Sequence, residues 1–266
     1  MDGRQTQNLI TVHSNDYWNV ILHRQLSQNH INRTPIHATH NAMDTNREVK
    51  DALFDQVARI AKAVANPKRL ELIELLCQAP KPVDTLAQET GISIKLASAH
   101  LKELRTSRVV DTERRGKQIF YRIASTEIPR LWVLLRTLAE DRLFELQDAL
   151  RHISGAMHEW HGKDRVELMR KARNGEIVVI DVRPGSEYAQ AHLPFARSIP
   201  LPELRTRLAE LPQDKTIVAY CRGPYCLMSG DAVELLRAQG YSALKLRDGV
   251  AEWVAAGVLE LAAGEV

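Results

Sequence analysis

Thr216-Ile217-Val218-Ala219-Tyr220-Cys221-Arg222-Gly223-Pro224-Tyr225-Cys226 is an apolar run that stops on a cysteine and turns. The uncharged stretch up to Tyr220, rich in β-branched residues, reads as a buried strand. Gly223-Pro224 marks a loop, and Ser229 to Gln239 then carries helical spacing. A cysteine closing a strand, on a tight loop that feeds a helix, sits where loop N–H groups and the helix dipole favour a thiolate; Arg222 adds a cation. Outward from this loop, strand candidates at Ile177 to Asp181 and Ala243 to Leu246 alternate with helical segments at Val166 to Ala172, Leu201 to Ala209 and Val250 to Ala256. The alternation predicts an α/β domain with a mostly parallel sheet and its chemistry at the carboxyl ends of the strands.

The preceding stretch reads differently. From Asn46 to Ala65, residues Val49, Leu53, Phe54, Val57, Ile60 and Val64 recur at helical spacing, and Asn66-Pro67 opens a second helix that runs to about Cys77. A short third helix, Thr85 to Glu89, leads through Thr90-Gly91-Ile92 into a fourth, Ser93 to Leu104. Leu96, Leu101 and Leu104 are expected to anchor that helix, leaving Ser93, Lys95, Ser98 and Lys102 on its other side. Two strands, Val109 to Thr112 and Gln118 to Ile123, flank a basic hairpin tip at Arg114-Arg115-Gly116-Lys117. One long helix, about Pro129 to Ile153, follows; its stripe Leu131, Leu134, Leu135, Leu138, Leu143, Leu146 and Leu150 is too long for so small a domain to cover. It reads as a dimerisation surface shared with the first helix, so a homodimer is expected.

Charge separates the two parts. Residues 93–122 hold 8 Lys/Arg against 3 Asp/Glu, whereas residues 165–266 hold 13 of each, which points to nucleic acid for the first part only. Three cysteines in 266 residues are too few for a disulfide framework. No apolar run reaches the length of a membrane span and no signal-peptide core is evident, so a cytoplasmic protein with reduced thiols and no membrane partner is expected. The expected boundaries are a tail at 1–43, a helical domain with a β-hairpin at 44–155, a linker at 156–164 and the α/β domain at 165–266. The tail holds His13, His23, His30, His37 and His40 without regular ligand spacing. It reads as a disordered arm or an over-extended reading frame with Met43 as the start.

The segment Leu86 to Leu104, with Ser98-Ala99-His100-Leu101-Lys102, then Val109-Val110, Arg114-Arg115-Gly116-Lys117 and Tyr121, resembles the winged helix-turn-helix of ArsR-type repressors over roughly residues 47–155. The resemblance implies operator DNA as partner, with Ser93, Lys95, Ser98 and Lys102 reaching bases or phosphates and Arg114, Arg115 and Lys117 gripping backbone phosphates. His100 is either a DNA contact or a buried polar residue. Relatives sense metals through paired cysteines or His/Asp pairs; neither is recognisable here. Cys77 stands alone on an apolar face, His152, His158 and His161 are spaced as linker residues, and no metal is expected.

Ile180-Asp181-Val182-Arg183, Glu187-Tyr188, His192-Leu193-Pro194, the loop at Cys221 and Asp248-Gly249-Val250-Ala251-Glu252-Trp253 together resemble a rhodanese domain over about 165–260. The resemblance implies that Cys221 accepts sulfane sulfur, that Asp181 and Arg183 support it, and that Arg222, Gly223, Pro224, Tyr225 and Cys226 form the substrate-binding loop. Arg222 either recruits an anionic donor or faces solvent. A phosphatase-type loop would need arginine at position 227, which is leucine, so oxyanion clamping is not expected. Cys226 is positioned to resolve a Cys221 persulfide as a disulfide, or is a buried thiol. The expectation is a DNA-binding regulator whose Cys221, ionised and accessible, takes up sulfur or is oxidised as the signal, with no cofactor. A sulfurtransferase that uses a small sulfur donor and thiol acceptor, or a thiol sensor for arsenite, are the alternatives.

Overall fold

The computed structural model describes residues 42–154, 159–160 and 165–259. The tail histidines, His158, His161 and most of the expected linker lie outside them. Helix α1 (Ala42–Val64) ends before Asn66, whose side-chain oxygen accepts from the Arg69 amide at 3.1 Å and so caps α2 (Pro67–Leu76), with Pro67 in its first turn. Strand β1 (Lys81–Pro82), α3 (Val83–Glu89) and α4 (Ile94–Thr106) follow, and Gly91 takes φ 64° in the turn before α4. Strands β2 (Val110–Arg115) and β3 (Gln118–Ile123) pair antiparallel from Val110↔Ile123 to Arg115↔Gln118. β1 adds to the other edge of β3, giving the order β1-β3-β2.

Leu72, Leu86, Leu101, Leu104, Val109 and Val110 are wholly buried, each contributing about 1.5–3 kcal/mol of burial. The expected anchor Leu96 is corrected: it is 44% exposed, and Ala97 joins Leu101 and Leu104 instead. Positions 97, 101 and 104 share one helical face, whereas 96 lies about 100° round from 97.

The single long helix expected over 129–153 is also corrected. Helix α5 (Glu127–Arg142) stops at Leu143, whose φ −105° and ψ 110° are extended, and α6 (Phe144–Ser154) begins again. No proline or glycine marks the break; the Gln147 side chain donates to the Glu140 carbonyl at 2.8 Å, satisfying a carbonyl freed at the end of α5. Leu53, Phe54 and Val57 on α1 and Leu134 and Leu138 on α5 are more than half exposed.

The α/β part contains α7 (Arg165–Arg173), β4 (Ile177–Asp181), α8 (Gly185–Gln190), β5 (Arg197–Ser198), α9 (Leu201–Leu204), β6 (Thr216–Tyr220), α10 (Met228–Ala238), β7 (Ala243–Lys245) and α11 (Val250–Ala255). Its sheet is parallel throughout in the order β5-β4-β6-β7. Both faces of the central strands are apolar: Val178, Ile180, Ile217 and Ala219 pack with Val233 and Leu236 of α10, while Ile177, Val179, Val218 and Tyr220 pack with Val250 and Trp253 of α11. The helix expected over 201–209 divides into α9 and a 3₁₀ turn at Leu208–Glu210. The Thr206 hydroxyl donates to the Glu203 carbonyl at 2.8 Å, a local bond that competes with helix continuation.

These layers abut. Ala251 of α11 is buried in the core that holds Trp132 of α5, and Tyr225 of the sulfur loop meets the Trp132 ring edge-on, 6.3 Å between centroids at 81°.

Candidate sulfur site and nucleic-acid surface

β6 delivers Cys221 to the carboxyl edge of the sheet, and the chain then curls over Gly223, whose φ of 142° is open to glycine alone. A Cβ there would also press on the Glu252 carboxylate at 3.3 Å and on Arg136 Nη1 at 3.4 Å. Gly249, ahead of α11, fits still more tightly: a Cβ would lie 2.6 Å from the Arg222 carbonyl carbon and from the Cys221 carbonyl oxygen. The loop is thus pinned between α5 and the start of α11.

Cys221 is 1% exposed, which corrects the expectation of an accessible sulfur. Its Sγ lies 3.1 Å from the Ser229 hydroxyl, where either group can donate, and 3.5 Å from the Cys226 carbonyl oxygen. Burial raises the Cys221 thiol, but hydrogen bonds from the Cys226 thiol and the Ser229 hydroxyl, then from the Ser229 and Gly223 backbone, overcome it and bring the thiol below its ordinary range. The hydrogen bond to Cys221 raises Cys226 in turn, with burial adding to it. Of the two, Cys221 is the thiol that ionises more readily. The sequence marks Ser229 only as the start of a helical pattern; its place beside Sγ depends on how the loop folds back.

Asp181 and Arg183 are both wholly buried and form a multiply bonded pair, Arg183 Nη2 donating to Asp181 Oδ2 at 2.6 Å and Nε to Oδ1 at 3.0 Å. The Tyr220 hydroxyl donates to Asp181 Oδ2 at 2.6 Å, so the pair anchors the residue just before Cys221. Their hydrogen bonds do not reach the sulfur. The remaining Arg183 donors go to the Ala191 carbonyl and, across to the winged-helix half, to the Gln78 side-chain oxygen, both at 2.8 Å.

Arg222 is half-buried and paired with carboxylates rather than turned out into solvent. Its guanidinium binds Glu187 at 2.6 Å and Glu89 at 2.9 Å. Pro224 is buried on one wall of a cleft of about 950 Å³, shared with Arg136, Glu140, Arg247 and Glu252. The cleft reaches the loop but not the sulfur.

On the winged-helix half, Ser93 caps α4 by accepting from the Leu96 amide at 3.2 Å. Lys95, Ser98 and Lys102 are exposed along α4, and His100 is half-buried. Arg114, Arg115 and Lys117 are exposed at the hairpin tip, where Arg115 pairs with Glu113 and lies 4.7 Å over the Phe120 ring. Cys77 is buried in the core and its thiol is pushed well up by that burial. His152 is exposed on α6 against the Asp148 carbonyl at 2.8 Å. Among the described residues no group of His, Cys, Asp and Glu is arranged to hold a metal, and no helix is long and apolar enough to cross a membrane.

Residues 66–112 match the model of the bacterial regulatory proteins of the arsR family, and residues 164–256 match that of the rhodanese-like domain. The chain is 42% identical over 209 residues to the HTH-type transcriptional regulator Rv0324 of Mycobacterium tuberculosis, covering 79% of this chain and 92% of that protein. Over shorter spans it is similar to a sulfurtransferase of Allochromatium vinosum, 33% identical over 34% of this chain and 82% of that one. It is also 35% identical to the biofilm growth-associated repressor of Xylella fastidiosa, over 35% of this chain and 81% of the repressor. The chain belongs to the arsR family of bacterial regulatory proteins, in a form whose polypeptide continues into a rhodanese-like domain.

Proposed function

We propose that this protein is a homodimeric DNA-binding transcriptional regulator that takes up sulfane sulfur at Cys221 as its signal. α4 enters the major groove with Lys95, Ser98 and Lys102, and Arg114, Arg115 and Lys117 grip phosphates. The exposed apolar residues of α1 and α5 supply the dimer contact, since a monomer leaves Leu53, Phe54, Leu134 and Leu138 in water. The observation that carries the sulfur reading is the placement of Cys221 at the end of β6 with its Sγ 3.1 Å from the Ser229 hydroxyl and a second cysteine, Cys226, on the same loop.

The chemistry balances without a cofactor. The Cys221 thiolate attacks the outer sulfur of a persulfide or polysulfide; that S–S bond breaks, the donor leaves as a thiolate, and Cys221 becomes a persulfide. Cys226 then attacks the inner sulfur, its proton leaves with the expelled sulfide, and a Cys221–Cys226 disulfide closes. Fluorescence anisotropy on a labelled duplex from the protein's own promoter, with and without polysulfide, tests the reading. Affinity should fall in the wild type and hold in Cys221→Ser; equal affinity in all arms removes the sensing role. Similarity to a sulfurtransferase favours a second reading, turnover at Cys221 with DNA binding setting only expression. Steady sulfur transfer to a thiol acceptor, with affinity indifferent to polysulfide, would select it. Release by arsenite but not polysulfide would instead mark a metalloid sensor.

A further inference from the structure

The sulfur loop and the helix-turn-helix meet in a closed ring of four charged side chains. Lys81 of β1 donates to Glu187 at 2.7 Å and to Glu89 at 3.0 Å; Arg222 completes the ring by binding Glu187 at 2.6 Å and Glu89 at 2.9 Å. Two members come from each half, the ring is neutral, and Glu187 and Lys81 are buried. Its place in the chain is what gives it leverage. Arg222 follows Cys221 directly, and Glu89 is the last residue of α3, just before the Thr90-Gly91 turn into α4. Gln78, wholly buried, reinforces the contact: its oxygen accepts from Arg183 at 2.8 Å and its amide reaches the Arg222 carbonyl at 3.5 Å.

A rhodanese-type loop must admit a sulfur donor, yet Cys221 is 1% exposed, and the loop residues Arg222 and Tyr225 that follow it are held by Glu89, Gln78 and Trp132 of the winged-helix half. We propose that Lys81 and Glu89 are positioning residues of the Cys221 site: through Arg222 and Glu187 they hold the sulfur loop closed, and they tie that closure to the geometry of the turn leading into α4. This deepens the sulfur-sensing reading and rests on it for its biological use. A sulfur atom added at Cys221, or a disulfide to Cys226, displaces the backbone next to Arg222 and loosens the ring from one side. Seating of α4 in DNA acts on the ring from the other side through Glu89. Linkage then requires both effects to have equal size, since binding at one site can alter the other only by what the other returns.

The test uses the full chain. Alkylation of Cys221 by iodoacetamide, followed by peptide mass spectrometry, reports loop opening, and Cys77, 2% exposed in the winged-helix core, reports general unfolding in the same sample. Glu89→Gln and Lys81→Met should each speed Cys221 alkylation at least about tenfold with Cys77 still protected, while Lys81→Arg keeps the wild-type rate. The promoter duplex should change the Cys221 rate in wild type and leave it unchanged in Glu89→Gln. Wild-type rates in both neutralised variants, a joint rise of Cys77 and Cys221, or a wild-type rate blind to the duplex would each overturn the proposal. If polysulfide leaves DNA affinity unaltered while the variants still open Cys221 and the duplex still shifts its rate, the sensing reading fails and the ring stands.

Discussion

Replacing Ser229 by alanine isolates the stabilisation of the sulfur anion. The hydroxyl sits 3.1 Å from Cys221 Sγ, and Ser229 is wholly buried, away from bulk water. A hydrogen bond to a charged acceptor contributes about 1.5–3 kcal/mol, and a buried one lies towards the upper end. At about 1.4 kcal/mol per pH unit, its loss should raise the pH at which Cys221 ionises by about one to two pH units. The ultraviolet absorbance of the thiolate, titrated with Cys221→Ser as the blank, reads that midpoint directly. Cys226→Ala should raise it as well, because the Cys226 side chain helps to hold the Cys221 thiol below its ordinary range. Polysulfide uptake at neutral pH should slow in step with the lost thiolate. If Ser229→Ala titrates like the wild type, the sulfur is not held as an anion by the groups that surround it, and the reasoning from loop geometry to reactivity is wrong.

Asp181→Asn leaves the buried Arg183 charge without its partner and should cost about 3–5 kcal/mol in urea unfolding; Asp181→Asn combined with Arg183→Met should recover much of it, and equal losses would contradict the pairing. Burial pushes the Glu74 carboxyl from 4.5 up to about 7, against the pull of Arg136. The folded chain therefore holds that proton more tightly than the unfolded one, and the associated stability is complete below about pH 4.5 and lost as pH rises through about 7. Glu74→Gln should match wild type in urea at pH 4.5 and exceed it by up to about 3 kcal/mol at pH 8; a gap independent of pH would refute this. Arg114→Ala and Lys117→Ala should each reduce the salt dependence of DNA binding by about one ion without changing sequence preference, and an unaltered salt slope would remove the hairpin tip from the interface.

The readable parts of the chain were those fixed by neighbours in sequence. A cysteine closing an uncharged strand announced the loop, and the strand-and-helix alternation announced the parallel sheet. Local capping at Asn66 and the positive φ at Gly91 fixed the helices that carry the DNA-facing residues. What escaped depended on partners far along the chain. Gln78 meets Arg183 across 105 residues and Lys81 meets Glu187 across 106, and nothing near either polar residue distinguishes it from a solvated one. Arg222 belongs to the same class: its partners Glu187 and Glu89 lie 35 and 133 residues away, and Glu89 belongs to the other half. β1 was hidden because Pro80 and Pro82 suggest an ended helix, and only the exposed edge of β3 makes a strand of Lys81 and Pro82.

The chemical character of the contact between the halves follows from what such a contact must do. An apolar interface of the same extent would bind the halves more firmly, because a buried ion pair returns little beyond its own desolvation cost. Here Tyr225 and Ala251 pack against the Trp132 core, and Arg136–Glu252, Arg247–Glu140, Arg183–Gln78 and the Lys81–Glu89–Arg222–Glu187 ring add polar contacts beside them. Polar partners of this kind fix one geometry when every member is satisfied and lose it together when one member moves. A sulfur site that must stay shut at rest and still admit a small donor needs that combination. On the proposed closure, the ring's single geometry accounts for the 1% exposure of Cys221, and neutralising one member is what should open the loop.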